Sequence, residues 1–332
     1  MENKKYMVSV LMLTYNQSRY IDDAIKGVMS QHTDFPFELV IGDDASTDDT
    51  VEKLKKWQAR YSDKIRIFAY EKNKGTIQNF LSTRRQCHGK YMAICEGDDY
   101  WIYEKKLQTQ VDFLEQHPDF SSCIHPVINY YEDKGTKSIS NGGQKQINNI
   151  VDLSKGNFIS NVSSVFRNDL FEELPEWFSS VAVYDYPLHM LNAQYGKLYF
   201  FKRPMAVYRK NSVGIWSCAG AKQYLIAMNV REILMNHFRN SNKDVYNNLL
   251  QTYNANAIAA LKCYILLKDT PKIEQIKSKL LEHNPAATDE DIKKAVKMGP
   301  QSPKIKCFIK RINKLLRQSI SRLFPIPHPK NI

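Results

Sequence analysis

The sequence predicts an α/β protein in which a mostly parallel sheet is flanked by helices and followed by a helical C-terminal region. Three observations predict it. Short apolar runs alternate with stretches whose apolar residues recur every three or four positions, and that alternation builds parallel βαβ units. Two of the runs, Phe37–Ile41 and Tyr91–Cys95, each end in clustered acids. From Ala219 to Lys297 the spacing is helical throughout.

Taken in order, Val8–Leu13 is an apolar strand ending in the polar loop Thr14-Tyr15-Asn16-Gln17, and Ile21, Ala24, Ile25, Val28 and Met29 then mark a helix. Phe37–Ile41 is a second strand, ending in Gly42-Asp43-Asp44-Ala45-Ser46-Thr47-Asp48. Thr47 or Asp48 is placed to cap the helix that carries Val51, Leu54 and Trp57. Ile65–Ala69 is a third strand, and Asn73-Lys74-Gly75 turns the chain into a helix through Ile77, Phe80 and Leu81. Tyr91–Cys95 is too short for a helix and is bounded by Gly89, so it reads as a buried strand. A helix through Leu107, Val111 and Leu114 ends before His117-Pro118. Residues 134–149 are rich in Gly, Ser, Asn, Gln and Lys and read as an exposed loop, either a cover over the acceptor side or a plain surface insertion. A helical run follows Tyr184-Asp185-Tyr186-Pro187-Leu188, and strands follow at Leu198–Phe201 and Met205–Arg209. In the C-terminal region Leu225, Met228, Ile233, Leu234, Leu249, Leu250, Ala259, Leu261 and Leu266 are expected core positions.

The acids carry the chemistry. Glu96, Asp98 and Asp99 put three carboxylates within four positions, just beyond the carboxyl end of a strand, where open α/β sheets bind ligands. Crowding them costs energy unless a cation holds them, and hard oxygen ligands suit Mg²⁺ or Mn²⁺. An acidic surface turn before the next helix is the plainer reading. Two acid clusters on one sheet edge favour a nucleotide-and-metal site over two such turns.

Four blocks in register, Val8–Asn16, Asp43–Asp48, Asn73–Gly75 and Glu96–Trp101, resemble the family 2 glycosyltransferases with the GT-A fold. The resemblance covers about residues 7 to 217. It implies an inverting transfer from a nucleoside-diphosphate sugar to a saccharide or lipid-linked saccharide, in surface polysaccharide or glycolipid synthesis. It places Thr14, Tyr15, Asn16 and Asp44 at the nucleoside, with Asn79 near the base. Glu96-Gly97-Asp98 matches the Asp-x-Asp motif, with Glu96 facing the ribose and Asp98 binding the metal. Glu96 stands where the family usually has Asp, one methylene shorter. Asp99 assists the metal or fixes the turn, and Tyr100 and Trp101 wall the sugar or pack. Asn161–Arg167 resembles the segment that precedes the family's acceptor site. Tyr184–Leu188 resembles its Asp-Trp-Pro-Leu segment, which makes Asp185 the catalytic base; an N-cap role is compatible with that. Asn211 stands where the family often has a His near the diphosphate, leaving Arg209 or Lys210 to supply positive charge.

Composition is that of a soluble globular chain: 43% hydrophobic and 25% charged over 332 residues. The six cysteines form no Cys-x-x-Cys pair, so neither a zinc ribbon nor a disulfide framework is suggested. No signal peptide or membrane-spanning run is read, and a cytoplasmic setting is expected. Net charge is +12, but eight Lys and Arg and no acid lie from Pro303 onward, against 39 basic and 35 acidic residues elsewhere. That concentration argues against a nucleic-acid partner. Between Ile305 and Phe324 apolar residues repeat at three and four with lysines and arginines between them, a helix suited to an anionic membrane surface at 303–324 or to burial in the protein itself. The expected division is a catalytic domain at 1–218, a helical appendage at 219–300 and a basic tail at 301–332. A non-catalytic sugar-nucleotide-binding subunit of a membrane assembly is the alternative from another class. A nucleotidyltransferase lacks its Gly-rich, Lys-containing loop here.

Overall fold

The computed structural model describes residues 6–210 and 220–298. Asn211 and the basic tail at 303–324, both singled out in the sequence, lie outside the described residues. The chain divides into two compact units, Met1–Cys218 and Ala219–Ile332.

The first unit opens with β1 (Val8–Thr14), α1 (Ile21–Met29), β2 (Phe37–Asp43), α2 (Thr50–Arg60), β3 (Ile65–Ala69), α3 (Thr76–Arg84) and β4 (Tyr91–Ile94). β1 and β2 are buried at all seven positions each. This is why they read as unbroken apolar runs: helices cover both faces of a parallel sheet. Truncating such a position, Leu11→Ala for instance, costs about 2–5 kcal/mol. β5 (Tyr100–Trp101), α4 (Lys106–Gln116), β6 (Phe120–Ile124) and β7 (Ile128–Tyr131) follow, then β8 (Thr136–Ile139), β9 (Ile147–Asn148) and α5 (Ile150–Ser154). The unit closes with β10 (Val165–Arg167), α6 (Asp185–Asn192), β11 (Lys197–Phe200) and β12 (Ala206–Lys210).

The main sheet has eight strands in the order β3-β2-β1-β4-β10-β6-β11-β9. The parallel arrangement expected from the sequence holds for β3, β2, β1 and β4. Beyond them the sheet is mixed: β10 runs antiparallel to both β4 and β6, and β9 antiparallel to β11. β10 has only three residues, too few for a period to show. Its direction matters for the site. Arg167 pairs with Tyr91 and Val165 with Ala93, so the residues preceding β10 emerge where β4 ends.

A second sheet, β5-β12-β7-β8, includes part of the segment read as a loop. Within 134–149, Thr136–Ile139 is an edge strand on β7 and Ile147–Asn148 pairs with β11. All four β8 residues are exposed, so the strand buries no apolar face and left no alternating pattern to read.

The second unit contains α7 (Lys222–Phe238), α8 (Lys243–Leu266), α9 (Thr270–His283) and α10 (Asp289–Met298). α8 supplies much of its core, with Leu249, Tyr253, Ala257 and Leu261 buried. Asn254 and Asn284 exchange two amide hydrogen bonds of 2.8 Å inside it. Leu266, expected in the core, is 77% exposed in the last turn of α8. No described helix is long and apolar enough to cross a membrane.

Candidate active site

Three loops open on one edge of the main sheet. Thr14 lies in register with Asp43 and Leu11 with Ile94, so the chain leaves β1, β2 and β4 side by side. The first two loops are laced together. Thr14 Oγ1 donates to Asp43 Oδ2 at 2.8 Å, and Ser46 donates its backbone N–H to Asp43 Oδ1 and its hydroxyl to Oδ2. Asn16 N–H donates to Ser46 Oγ, and Asn16 Oδ1 accepts from Thr47 N–H. Asn16 and Ala45 hold positive φ angles of 53° and 63°, an uncommon conformation that this lacing supports. Asp48, rather than Thr47, accepts from the Thr50 N–H at the start of α2. Asp44 accepts the backbone N–H groups of Lys74 (2.7 Å) and Gly75 (2.9 Å), pinning the Asn73-Lys74-Gly75 turn. Tyr15 is 48% exposed at the rim.

Asn79 is turned inward. Its Nδ2 donates to Gly42 O and its Oδ1 accepts from Thr83 Oγ1, so its amide braces α3 against β2 instead of facing outward near a base.

The third loop meets the first at Gly97. A Cβ at Gly97 would fall 2.1 Å from Gln17 Oε1 and 2.8 Å from Thr14 Cγ2, so a larger residue there would have to displace both side chains. Asp99 is buried, and its Oδ1 accepts from Arg209 N–H at 2.9 Å. This bond ties the acidic turn to β12. Asp98 is half-buried, and its backbone carbonyl accepts from the Arg209 guanidinium at 3.0 Å. Trp101 is a packing residue, buried with its indole N–H on Val162 O.

Arg209 was a candidate for the diphosphate charge, and the structure gives its guanidinium other work. It is paired with Asp23, lies 4.0 Å from Glu132 and covers the rings of Tyr100 (4.4 Å) and Tyr20 (5.2 Å). It locks β12 to the acidic turn. Lys210 Nζ lies 5.2 Å from the Tyr131 ring and 5.8 Å from the Tyr208 ring.

Glu96 Oε1 accepts from Asn161 Nδ2 at 2.9 Å and from the Tyr184 hydroxyl. Burial pushes its carboxyl up to about 7; the neighbouring Asp98 charge adds to the rise, and the bonds from Tyr184 and Asn161 oppose it. Asp99 is raised well above the carboxylate range by burial and then by Asp98.

Asp185 is the first residue of α6, with Tyr184 at the N-cap position, so its carboxyl sits at the helix start without being the N-cap residue itself. Burial raises its carboxyl, while backbone N–H groups at the helix start hold the rise back. Its place beside the acidic turn shows in Tyr208. That phenol is raised by burial and then by the charges of Asp99, Asp98, Asp185 and Glu96 together. The four carboxylates thus lie within electrostatic reach of Tyr208 at this site. Asn161, Tyr184 and Tyr208 stood in segments singled out in the sequence, but nothing there assigned them a place in it.

Among the described residues no three His, Cys, Asp or Glu side chains gather into a metal cage. A half-buried Asp98 beside other hard oxygen donors fits a Mg²⁺ or Mn²⁺ ion whose remaining ligands are substrate phosphates and water.

The model of the family described as Glycosyl transferase family 2 matches residues 9–175. An uncharacterized protein of Mycobacterium tuberculosis H37Rv, Rv1520, is 37% identical over 214 residues, covering 64% of this chain and 61% of that protein; the chain thus spans about three fifths of that relative. Two solved structures share the fold. Staphylococcus aureus TarS 1–349 in complex with UDP-GlcNAc superposes with a TM-score of 0.54 at 18% identity, covering 83% of this chain and 91% of that one. The mannosyltransferase PcManGT from Pyrobaculum calidifontis, in complex with GDP-Man and Mn²⁺, gives 0.53 at 15% identity, covering 97% and 88%.

Proposed function

The chain belongs to glycosyl transferase family 2, and from that premise we propose that it moves a sugar, with inversion, from a nucleoside-diphosphate sugar to an acceptor hydroxyl. The observation that carries the reading is the hydrogen bond between Glu96 and Tyr184, which brings the acidic turn of Asp98 to the residue that precedes Asp185. The nucleoside would lie along the loops of Thr14, Tyr15, Asn16 and Asp44. Tyr15 offers an exposed ring, while Thr14, Asn16, Asp44 and Asn79 hold the shape of the floor. The neighbours solved with UDP-GlcNAc and GDP-Man support a donor of this class.

Asp98 would hold the divalent ion, in keeping with the Mn²⁺ of PcManGT. Such an ion neutralises charge on a departing diphosphate. Asp185 takes the proton from the attacking hydroxyl, and its raised carboxyl makes it a stronger base once ionised. One base opposite the leaving group gives a single displacement and therefore inversion. A saccharide or lipid-linked saccharide of surface polysaccharide synthesis is the proposed acceptor. The basic stripe at 303–324 would hold the enzyme on an anionic cytoplasmic membrane face.

The test combines binding and turnover. Wild type should bind one of UDP, GDP, dTDP or CDP with Mn²⁺ and lose that binding in EDTA, by titration calorimetry. Asp185→Asn should keep that affinity and lower transfer by about 10³-fold. Wild-type transfer should fall as pH drops through the Asp185 pKa, above the ordinary carboxylate range. Equal loss of binding and transfer in Asp185→Asn would sink the base assignment.

A further inference from the structure

Glu96 differs from the residue usual at its position by one methylene, and the structure shows where the extra length goes. Its Oε1 accepts from Asn161 Nδ2 at 2.9 Å and from the Tyr184 hydroxyl. Asn161 Nδ2 also donates to Tyr184 Oη at 2.7 Å. The three side chains close a triangle in which Asn161 Nδ2 donates toward both Glu96 Oε1 and Tyr184 Oη and the phenol donates to the carboxylate. Two separate parts of the fold bring the donors there. Asn161 arrives because antiparallel β10 begins where β4 ends. Tyr184 is buried, its ring stacked on Phe80 at 4.2 Å.

Tyr184 immediately precedes Asp185 and occupies the N-cap of α6, where no side chain makes a capping bond. The Tyr184 side chain is thus turned away from the helix start and toward Glu96 and Asn161.

We propose that Glu96 is a positioning residue for the base helix: by gripping Tyr184 and Asn161 it sets where Asp185 stands, and it does not serve the donor ribose. An Asp at this position would fall short by about 1.5 Å, one C–C bond. The acidic turn that carries Asp98 and the helix that carries Asp185 then move as one piece. The role of Asp185 in this inference rests on the glycosyltransferase reading; the tie itself does not.

The experiment is hydrogen exchange on the full chain, read over α6, for wild type, Glu96→Asp, Glu96→Gln, Tyr184→Phe and the Glu96→Asp/Tyr184→Phe double variant. Glu96→Asp and Tyr184→Phe should each speed exchange at the start of α6 by about tenfold. The double variant should speed exchange by clearly less than the product of the two single effects, because both remove the shared Glu96–Tyr184 bond. Glu96→Gln keeps an acceptor oxygen at full reach and should keep exchange slow. Affinity for UDP or GDP with Mn²⁺ should change less than about threefold in Glu96→Asp, while kcat falls and donor KM holds. Unchanged exchange in Glu96→Asp, additive effects in the double variant, or a loss of nucleotide affinity in Glu96→Asp and Glu96→Gln alike would each overturn the proposal. A wild type that binds no nucleotide defeats the glycosyltransferase reading instead, and the exchange comparison still decides the tie.

Discussion

The loops after β2 and β4 share one sequence pattern, an apolar strand running into clustered acids, and their carboxylates end in opposite circumstances. Asp43 accepts three hydrogen bonds, from Thr14 and twice from Ser46, and Asp44 accepts two backbone N–H groups. These are acids used as scaffold: local donors compensate their charge. After β4, Asp98 raises both Glu96 and Asp99, and burial raises them further. Burial and crowding push these two carboxyls toward the neutral form, a tendency that a bound cation would oppose. What separates the two loops is the crowding of carboxylates after β4, not the pattern that precedes them.

The sharpest way to break this contrast is to remove one acid from each loop. Asp98→Ala should abolish metal-dependent nucleotide binding and lower transfer at least about 10³-fold, with stability within about 1 kcal/mol of wild type. Asp43→Ala strands three donors and should cost about 3 kcal/mol in denaturant unfolding. If Asp98→Ala unfolds the protein and Asp43→Ala does not, the division between scaffold and chemistry is wrong.

A third group extends the comparison to a buried amine with no hydrogen-bond partner among the described residues. Lys106 is fully buried, its Nζ has no hydrogen-bond partner and it faces the Trp101 ring at 4.2 Å. Burial lowers its pKa to about 7. In the unfolded chain the amine keeps its ordinary value near 10.4, so between the two values the unfolded state binds more protons. Stability from this group is full above the unfolded value and is lost as pH falls to about 7. Lys106→Met should therefore stabilise the fold at pH 7 by about 2–4 kcal/mol and flatten the rise in stability between neutral and alkaline pH. A rise that survives in Lys106→Met would trace to another group.

The sequence made the parallel half of the sheet legible because its strands are buried on both faces and its helices are amphipathic. The acid clusters were legible because parallel strands deliver their ends to one edge. β10 was not, since three residues carry no period, and with it went the meeting of Asn161 and Glu96. Nor was β8, which buries nothing. Arg209 read as a charge for the diphosphate because its sequence neighbours resemble that segment; the pairing of β12 with β5 instead sets its backbone N–H on Asp99. Asn79 was expected near the base by resemblance, yet it is buried and its amide bonds Gly42 and Thr83. Sequence gave the residues of the site more readily than their directions, because direction depends on strand sense and register.

Asp44 sharpens the scaffold side with the smallest effect. Its two oxygens each take one backbone N–H, from Lys74 and Gly75, and the second residue starts α3 from a φ of 81°. Asp44→Asn keeps one acceptor oxygen and presents an N–H₂ to the other donor, so one bond is lost while the turn keeps its glycine. The expected cost is about 1–1.5 kcal/mol of stability. Nucleotide affinity should fall by only a few-fold, roughly 1 kcal/mol at most, because on this view Asp44 shapes the nucleoside floor through the Lys74-Gly75 turn. A much larger loss of affinity at unchanged stability would mean that Asp44 also touches the donor, and the acids after β2 would then belong to the chemistry as well as to the scaffold.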